Sequence, residues 1–212
     1  MHSGERLACL VPASALPVSD FFVQISRRGC VKKTLASMSQ AVLANHFLGK
    51  GTVQKADQPF ELTFTRKGQR LALVSREGRV LCLDVDDLSY AIEERFRLSA
   101  TDHLVSAVVI HPDETVLVLT QTGKALSRSG TDLQPARSPL SKGQALIPDA
   151  RLDQGVHAIG AAAVRETDRI VVLHTDGRIT RHEAGRLTGM GTVPTNSQLL
   201  AFATYAGVLE DR

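Results

Sequence analysis

Tryptophan is absent from this chain of 212 residues, and aromatic residues of all kinds make up only 4% of it. Apolar residues nevertheless reach 43%. The core must therefore be built from Val, Leu, Ile and Ala, and a WD-type repeat propeller, in which a Trp-Asp pair marks most blades, is excluded. So few aromatic side chains also leave almost no platform for stacking the bases of a single strand. No apolar run approaches the ~18 residues that a membrane helix needs. The first residues carry a Glu5-Arg6 pair and no signal-peptide layout. Cysteine is scarce and odd in number: Cys9, Cys30 and Cys82, with no Cys-x-x-Cys pair. That usage suits a reducing cytoplasm, and each cysteine reads as a small apolar residue in or beside a strand.

The dominant positive feature is a phrase that returns four times. It reads Val23-Gln24-Ile25-Ser26-Arg27-Arg28-Gly29-Cys30-Val31-Lys32, then Leu73-Val74-Ser75-Arg76-Glu77-Gly78-Arg79-Val80. The third copy is Leu117-Val118-Leu119-Thr120-Gln121-Thr122-Gly123-Lys124-Ala125, and the fourth is Val171-Val172-Leu173-His174-Thr175-Asp176-Gly177-Arg178-Ile179. The marker glycines Gly29, Gly78, Gly123 and Gly177 are 49, 45 and 54 residues apart. Each copy is a β-branched or aliphatic run, a polar turn ending in Gly, and a second run, which is the pattern of a β-hairpin. A further apolar run precedes each hairpin, at residues 6–11, 60–65, 103–110 and 156–164. The unit thus reads strand, turn, strand, Gly turn, strand, and is expected to form one small antiparallel sheet. Such a sheet cannot cover both of its faces alone, so neighbouring sheets must stack.

The expected architecture is all-β and propeller-like: a single repeat domain over residues 1–212, built from about four repeated four-stranded antiparallel blades. The approximate units are 4–55, 56–100, 101–150 and 151–196, with 197–212 a closing strand or the start of a fifth unit. Residues 37–47 and 87–98 read as short helical connections whose apolar positions plug gaps between blades.

Net charge is +3 overall, but it is unevenly spread. Residues 1–55 carry seven basic and two acidic side chains, residues 56–115 seven and eleven, and residues 116–212 eleven and nine. The first unit is therefore the basic one, through Arg27, Arg28, Lys32, Lys33, Lys50 and Lys55. Cations on one rim would neutralise phosphates and release counterions, giving sequence-independent, salt-sensitive binding to duplex DNA. The candidate contacts are Arg27, Arg28, Lys32, Lys33 and Lys50 in the first unit. Lys124, Arg128 and Lys142 follow in the third, and Arg178, Arg181 and Arg186 in the fourth. Lys32 and Lys33 point to opposite faces of a strand, so at most one lies on a given face. Arg76 and Arg79 stand among acidic residues and read as solubilising charges. Lys and Arg on edge strands also keep sheets from aggregating, which is the competing explanation for all of them.

The first unit's wording is specific at the residue level. Gly4-Glu5-Arg6-Leu7-Ala8-Cys9-Leu10-Val11-Pro12, followed by Phe21-Phe22-Val23-Gln24-Ile25-Ser26-Arg27-Arg28-Gly29-Cys30-Val31-Lys32-Lys33-Thr34-Leu35, resembles a blade of the C-terminal domain of bacterial DNA gyrase and topoisomerase IV A subunits. That resemblance implies a six-bladed β-pinwheel with DNA bent around a basic rim. It also implies a catalytic core of a type IIA topoisomerase as partner, and a cytoplasmic, nucleoid-associated location. Against six blades, this chain shows four units and a fragment, so it reads as an incomplete six-blade array or a shortened relative. The family's Gln-Arg-Arg-Gly-Gly-Lys-Gly box is reduced here to Asn45-His46-Phe47-Leu48-Gly49-Lys50-Gly51. A fainter echo stands at Leu140-Ser141-Lys142-Gly143-Gln144-Ala145-Leu146. The loss of the Gln and both Arg leaves DNA bending, rather than wrapping of fixed handedness, as the implied function.

Catalysis is not expected of this chain on its own. Tyr90 and Tyr205 lack the Arg neighbour of a strand-cleaving tyrosine, and ATP-dependent topoisomerase activity would need a larger assembly. Gly49-Lys50-Gly51-Thr52 lacks the opening Gly of a phosphate loop. No cofactor or metal is implied: His174 and His182 flank one hairpin but lack ligand-like spacing, and Asp84-Val85-Asp86-Asp87 lacks the Gly and closing Glu of a calcium loop. A protein-interaction scaffold that has lost DNA binding is the alternative, supported by the acidic second unit. The two readings differ in whether the basic side chains of successive units share one continuous rim.

Overall fold

The computed structural model describes residues 18–38, 57–189 and 191–205. The expected first strand at residues 6–11, Cys9, Lys55 and the box around Lys50 lie outside the described residues. Among the described residues fourteen strands form four antiparallel sheets. Blade one has the order β3–β1–β2–β6, with β1 at Phe21–Ser26, β2 at Cys30–Leu35, β3 at Pro59–Thr65 and β6 at Glu93–Glu94. Blade two is β10–β5–β4–β7, from β4 at Arg70–Ser75, β5 at Arg79–Asp84, β7 at Leu104–Ile110 and β10 at Gln144–Ala145. Blade three is β11–β8–β9, with β8 at Thr115–Thr120, β9 at Ala125–Ser129 and β11 at Ala158–Val164. Blade four is β13–β12–β14, with β12 at Arg169–His174, β13 at Ile179–Glu183 and β14 at Leu199–Tyr205.

Each Gly-marked phrase is the hairpin expected of it: β1–β2, β4–β5, β8–β9 and β12–β13. The four marker glycines have φ of +87°, +69°, +87° and +82°, which L side chains rarely adopt. In the first three turns a hydroxyl three places before the Gly secures the turn. Ser26, Ser75 and Thr120 accept the backbone N–H of Cys30, Arg79 and Lys124. His174 stands at that position in the fourth turn, and there Asp176 accepts the N–H of Arg178 instead.

The leading strands differ from expectation. Each unit was read as one sheet, yet every leading strand pairs with the hairpin before it rather than the one after. β3 joins β1, β7 joins β4, β11 joins β8, and β14 joins β12. The four-residue break after a leading strand is a corner that carries the chain from one blade into the next. At the first corner Asp20 of the preceding blade accepts the N–H of Lys67, and Asp86 of the following blade accepts that of Gly68. The loop after each hairpin then returns to the outer strand of the blade before. β6 pairs with β2, β10 with β5, and Thr192 with Lys124 of blade three. Residues 87–98 therefore hold the return strand β6 and no helix. Their plugging role stands: Phe96 is fully buried against Gly29.

Stacking explains why the hairpin strands read as continuous apolar runs. Alternate residues of one strand face two different blades. Leu71, Leu73, Leu81 and Leu83 of blade two pack with Phe21, Val23, Ile25 and Val31 of blade one. Ala72, Val74, Val80 and Cys82 pack with Val116 and Val118 of blade three. Leu117 and Leu119 continue to Ile170 and Val172 of blade four. Both described cysteines are free and buried. Burial pushes the Cys82 thiol up to about 11 and raises that of Cys30 as well.

Candidate nucleic-acid interface

The Gly turns are strung along one edge of the array by a repeating pair of backbone hydrogen bonds. The carbonyl of Arg27 in turn one accepts the N–H of Leu104, while the N–H of Arg76 in turn two donates to the adjacent His103 carbonyl. The same pair recurs from Arg76 through Ala158 and His157 to Gln121 in turn three. It recurs again from Gln121 through Leu199 and Gln198 to Thr175 in turn four. Each link is two consecutive residues at the start of a leading strand, so the strand exchange itself aligns the turns. Exposed Arg27 and Arg76 stand at the ladder positions of turns one and two, and exposed Lys124 and Arg178 follow the marker Gly of turns three and four. Burial lowers the pKa of His103 first, and the positive charges of Arg27 and Arg76 lower it further, against a raising contribution from Asp102.

The candidate cations divide into those the fold uses and those it leaves to solvent. Lys33 is buried, with its ammonium donating to the carbonyls of Val85 and Asp86 at 3.0 and 2.9 Å. It also sits over the Phe21 and Tyr90 rings. Its charge is aimed into the protein and is withdrawn from the contact set. Arg28 is also structural in use: Nη1 donates to the carbonyls of Ser99 and Asp102, tying turn one to the loop that precedes β7. Lys32 is half-buried on β2. Lys142 is exposed on the return segment, where its carbonyl accepts from Arg79 Nη1. Arg128 is exposed in β9 and donates to its neighbour's carbonyl, Ser127 O. Arg178 carries an exposed ion pair with Asp176 at 3.1 Å. Arg181 opens onto a cleft of about 450 Å³ that Arg169, Arg186, His182 and Tyr205 also line, with Arg186 paired to Glu183 at 2.9 Å.

No protein-family model and no curated protein matches the sequence. Solved structures do match. A crystal structure of the C-terminal domain of DNA topoisomerase IV superposes with a TM-score of 0.72 at 18% identity, over 96% of this chain and 67% of the other. The E. coli ParC C-terminal domain gives 0.68 at 18% identity, over 89% and 82%. A DNA gyrase A C-terminal domain gives 0.55 at 13%, over 97% and 88%. This chain has the gyrase and topoisomerase IV C-terminal domain fold. The pinwheel architecture implied by the first unit's wording is thus the one observed, while identities this low carry the fold and nothing finer.

Within that pinwheel, sequence reasoning passed over two cations. Arg76 was set aside for its acidic surroundings. The nearest of these acids, Glu77, is occupied by the hydroxyls of Ser99 and Thr101, and Arg76 holds the place before its Gly that Arg27 holds in blade one. That shared register was visible in the aligned phrases. Arg151, by contrast, had no signal in the repeat. It lines a cavity of about 120 Å³ together with Lys124, because the return loop of the third unit folds back beside turn three. His174 and His182 do converge, but on a hydroxyl. Both Nε2 atoms lie within 2.9 Å of Thr180 Oγ1, and His174 Nδ1 is 3.0 Å from Thr195 Oγ1. Burial, with His174 as a minor cause, lowers the pKa of His182. No helix among the described residues is long and apolar enough to cross a membrane.

Proposed function

We propose that this chain binds and bends duplex DNA along the Gly-turn edge, as a non-catalytic accessory to the core of a type IIA topoisomerase at the nucleoid. The observation that supports the reading is the backbone ladder that lines up the Gly turns, in or beside which exposed Arg27, Arg76, Lys124 and Arg178 stand. Lys142 and Arg151 flank this row, and Arg181 extends the basic surface of blade four. Lys50, in the residual Gly-Lys-Gly, completes the contact set. Such contacts reach phosphates and not base edges, so binding is independent of sequence. Bending a 20–30 base-pair site costs about 1–6 kcal/mol, which several phosphate contacts offset. With two of the family's three box cations missing, bending is the function assigned, without wrapping of fixed handedness.

The test is a salt titration of binding to a labelled duplex of about 40 base pairs, with end-to-end energy transfer reporting the bend. Four phosphate contacts predict a slope of log K against log salt of about −3.6. Replacing Arg27, Arg76 and Lys124 by Glu removes binding and the bend together. Absence of binding at low salt would refute the reading and leave the interaction scaffold as the account of this fold.

A further inference from the structure

Turn three differs from turns two and four in the residue before its marker Gly. Turns two and four place an acid there, Glu77 and Asp176, and turn three places Thr122. In turn four the acid pairs with the cation that follows the Gly, Asp176 with Arg178 at 3.1 Å. In turn two the Glu77 carboxylate accepts from the hydroxyls of Ser99 and Thr101, at 2.9 and 3.4 Å, in the loop that leads into β7. The loop that leads into β11, residues 148–157, contains no Ser or Thr and brings Arg151 to turn three instead.

The cavity of about 120 Å³ between this loop and turn three is lined by Lys124, Arg151 and Thr122, all exposed, and among the described residues by no carboxylate. Among the described residues neither cation has an ion-pair partner. Arg151 Nη1 donates to Gln154 Oε1 at 3.2 Å, and the Thr122 hydroxyl stands 3.0 Å from that of Thr120. Buried Ile147 and half-buried Leu126 and Val156 add an apolar wall, beside which charges are screened less than in open water. The loop is fastened on both sides of Arg151. Before it, the Leu146 N–H donates to the Gly78 carbonyl at 2.9 Å. After it, buried Gln121 grips the chain with both ends of its amide: Nε2 donates to the Gly155 carbonyl and Oε1 accepts the His157 N–H, each at 2.8 Å. The fold itself thus brings the second cation to Lys124, and little ordering of the loop is left to oppose an arriving anion.

We propose that this cavity is a discrete seat for one phosphate group, held by Lys124, Arg151 and the Thr122 hydroxyl in place of the acid that turns two and four carry. At ~30 Å³ per water the space equals about four waters, which suits a tetrahedral oxyanion. It is well below the ~300 Å³ at which clefts for drug-sized ligands begin. Three donor groups on two separate segments match the oxygens of a phosphate better than the two of a carboxylate. The phosphate is either free in solution or one of the DNA backbone. The second source rests on the DNA-binding reading, and the first does not.

The experiment follows the backbone amide NMR signals of Thr122, Lys124 and Arg151 in the 212-residue chain as inorganic phosphate rises from about 0.1 to about 50 mM. Chloride holds the ionic strength constant, and the range brackets millimolar binding. Saturable shifts confined to these residues and their neighbours are expected. Arg151→Gln changes an exposed side chain, so folding is not at risk, and weakens binding at least about tenfold. Thr122→Glu supplies the acid of turn two and has the same effect. Lys67→Gln removes one charge at the first corner, outside the cavity, and leaves the titration unchanged. A duplex of about 40 base pairs forms the second arm. Where a backbone phosphate uses the seat, Arg151→Gln makes the salt slope shallower by about 0.9, whereas an unchanged slope assigns the seat to free phosphate. A chain that binds no DNA yet shows the phosphate shifts loses the bending function and keeps the seat. Absence of a saturable shift in the wild type, or shifts that survive both Arg151→Gln and Thr122→Glu, would overturn the proposal.

Discussion

Replacing a marker glycine by alanine separates two costs that blade three combines and blade four does not. Gly123 and Gly177 have nearly the same φ, +87° and +82°, so alanine at either pays the same strain of about 1–2 kcal/mol for left-handed backbone. At Gly177 strain is the only cost counted, because among the described residues a Cβ there meets nothing within 4 Å. At Gly123 the Cβ would stand 2.7 Å from the carbonyl oxygen of Val193 and 3.2 Å from Thr195 Cγ2. The nearest atom is backbone, so the return strand must move as a piece. Its movement breaks the bonds from Val193 N–H to Gly123 and from Ala125 N–H to Gly191, worth about 1 kcal/mol each. It also draws fully buried Val193 toward water, at up to about 1.5–3 kcal/mol. Gly123→Ala should therefore destabilise by about 3–7 kcal/mol against about 1–2 for Gly177→Ala. Urea unfolding followed by circular dichroism reads the difference. With a slope of about 2 kcal/mol per molar urea, the two midpoints should lie at least about 1 M apart. Gly68→Ala, at φ +72° with no neighbour within 4 Å, serves as a second strain-only control. Equal midpoints for Gly123→Ala and Gly177→Ala would refute the account of the return strand as a structural cap.

Lys33→Met should destabilise the fold by about 1–3 kcal/mol, since it leaves the Val85 and Asp86 carbonyls without their donor, while the salt slope of DNA binding stays unchanged. A fall in that slope on substitution would return Lys33 to the interface. His103 and His182 both titrate below their ordinary value of 6.5 in the folded chain, so as pH falls the unfolded chain takes up protons first. Stability should therefore decline from about pH 6.5 downward through the folded values, and a urea midpoint that holds or rises on going from about pH 7.5 to about pH 5.5 would contradict this. Cys30 and Cys82 should resist thiol reagents in the native state and react on unfolding, because burial holds both thiols protonated. Mass mapping that finds Cys82 modified in the native protein would refute that.

The hairpins were legible because their causes are local. A glycine held at positive φ, a Ser or Thr three places before it and flanking aliphatic runs are all properties of ten consecutive residues, and they recur at Ser26-Gly29, Ser75-Gly78 and Thr120-Gly123. The plugging role expected of the apolar positions in residues 87–98 was legible in part, since Phe96 is buried there while Tyr90 is exposed. The proposed interface was half-visible. Arg27 and Lys124 were marked by charge, whereas Arg76 was discounted because proximity in sequence to Glu77 says nothing about which hydroxyls occupy that carboxylate. Arg151 was silent, as its approach to Lys124 depends on where the return loop comes to rest. Lys33 was misjudged because composition counts a charge without its direction.

What the sequence by itself determined, then, is the unit: the hairpin, its turn chemistry, the number of copies and the apolar strands that oblige them to stack. Only the tertiary structure decided which unit each strand serves. A leading strand has two hairpin edges within reach, the one before it and the one after, and both present the same aliphatic pattern. The choice falls to the corner at Arg66-Lys67-Gly68-Gln69, whose N–H groups are held by Asp20 of one blade and Asp86 of the next. That choice threads each blade into its neighbour, draws the four Gly turns onto one edge, and leaves Ile179 exposed on the edge strand of blade four.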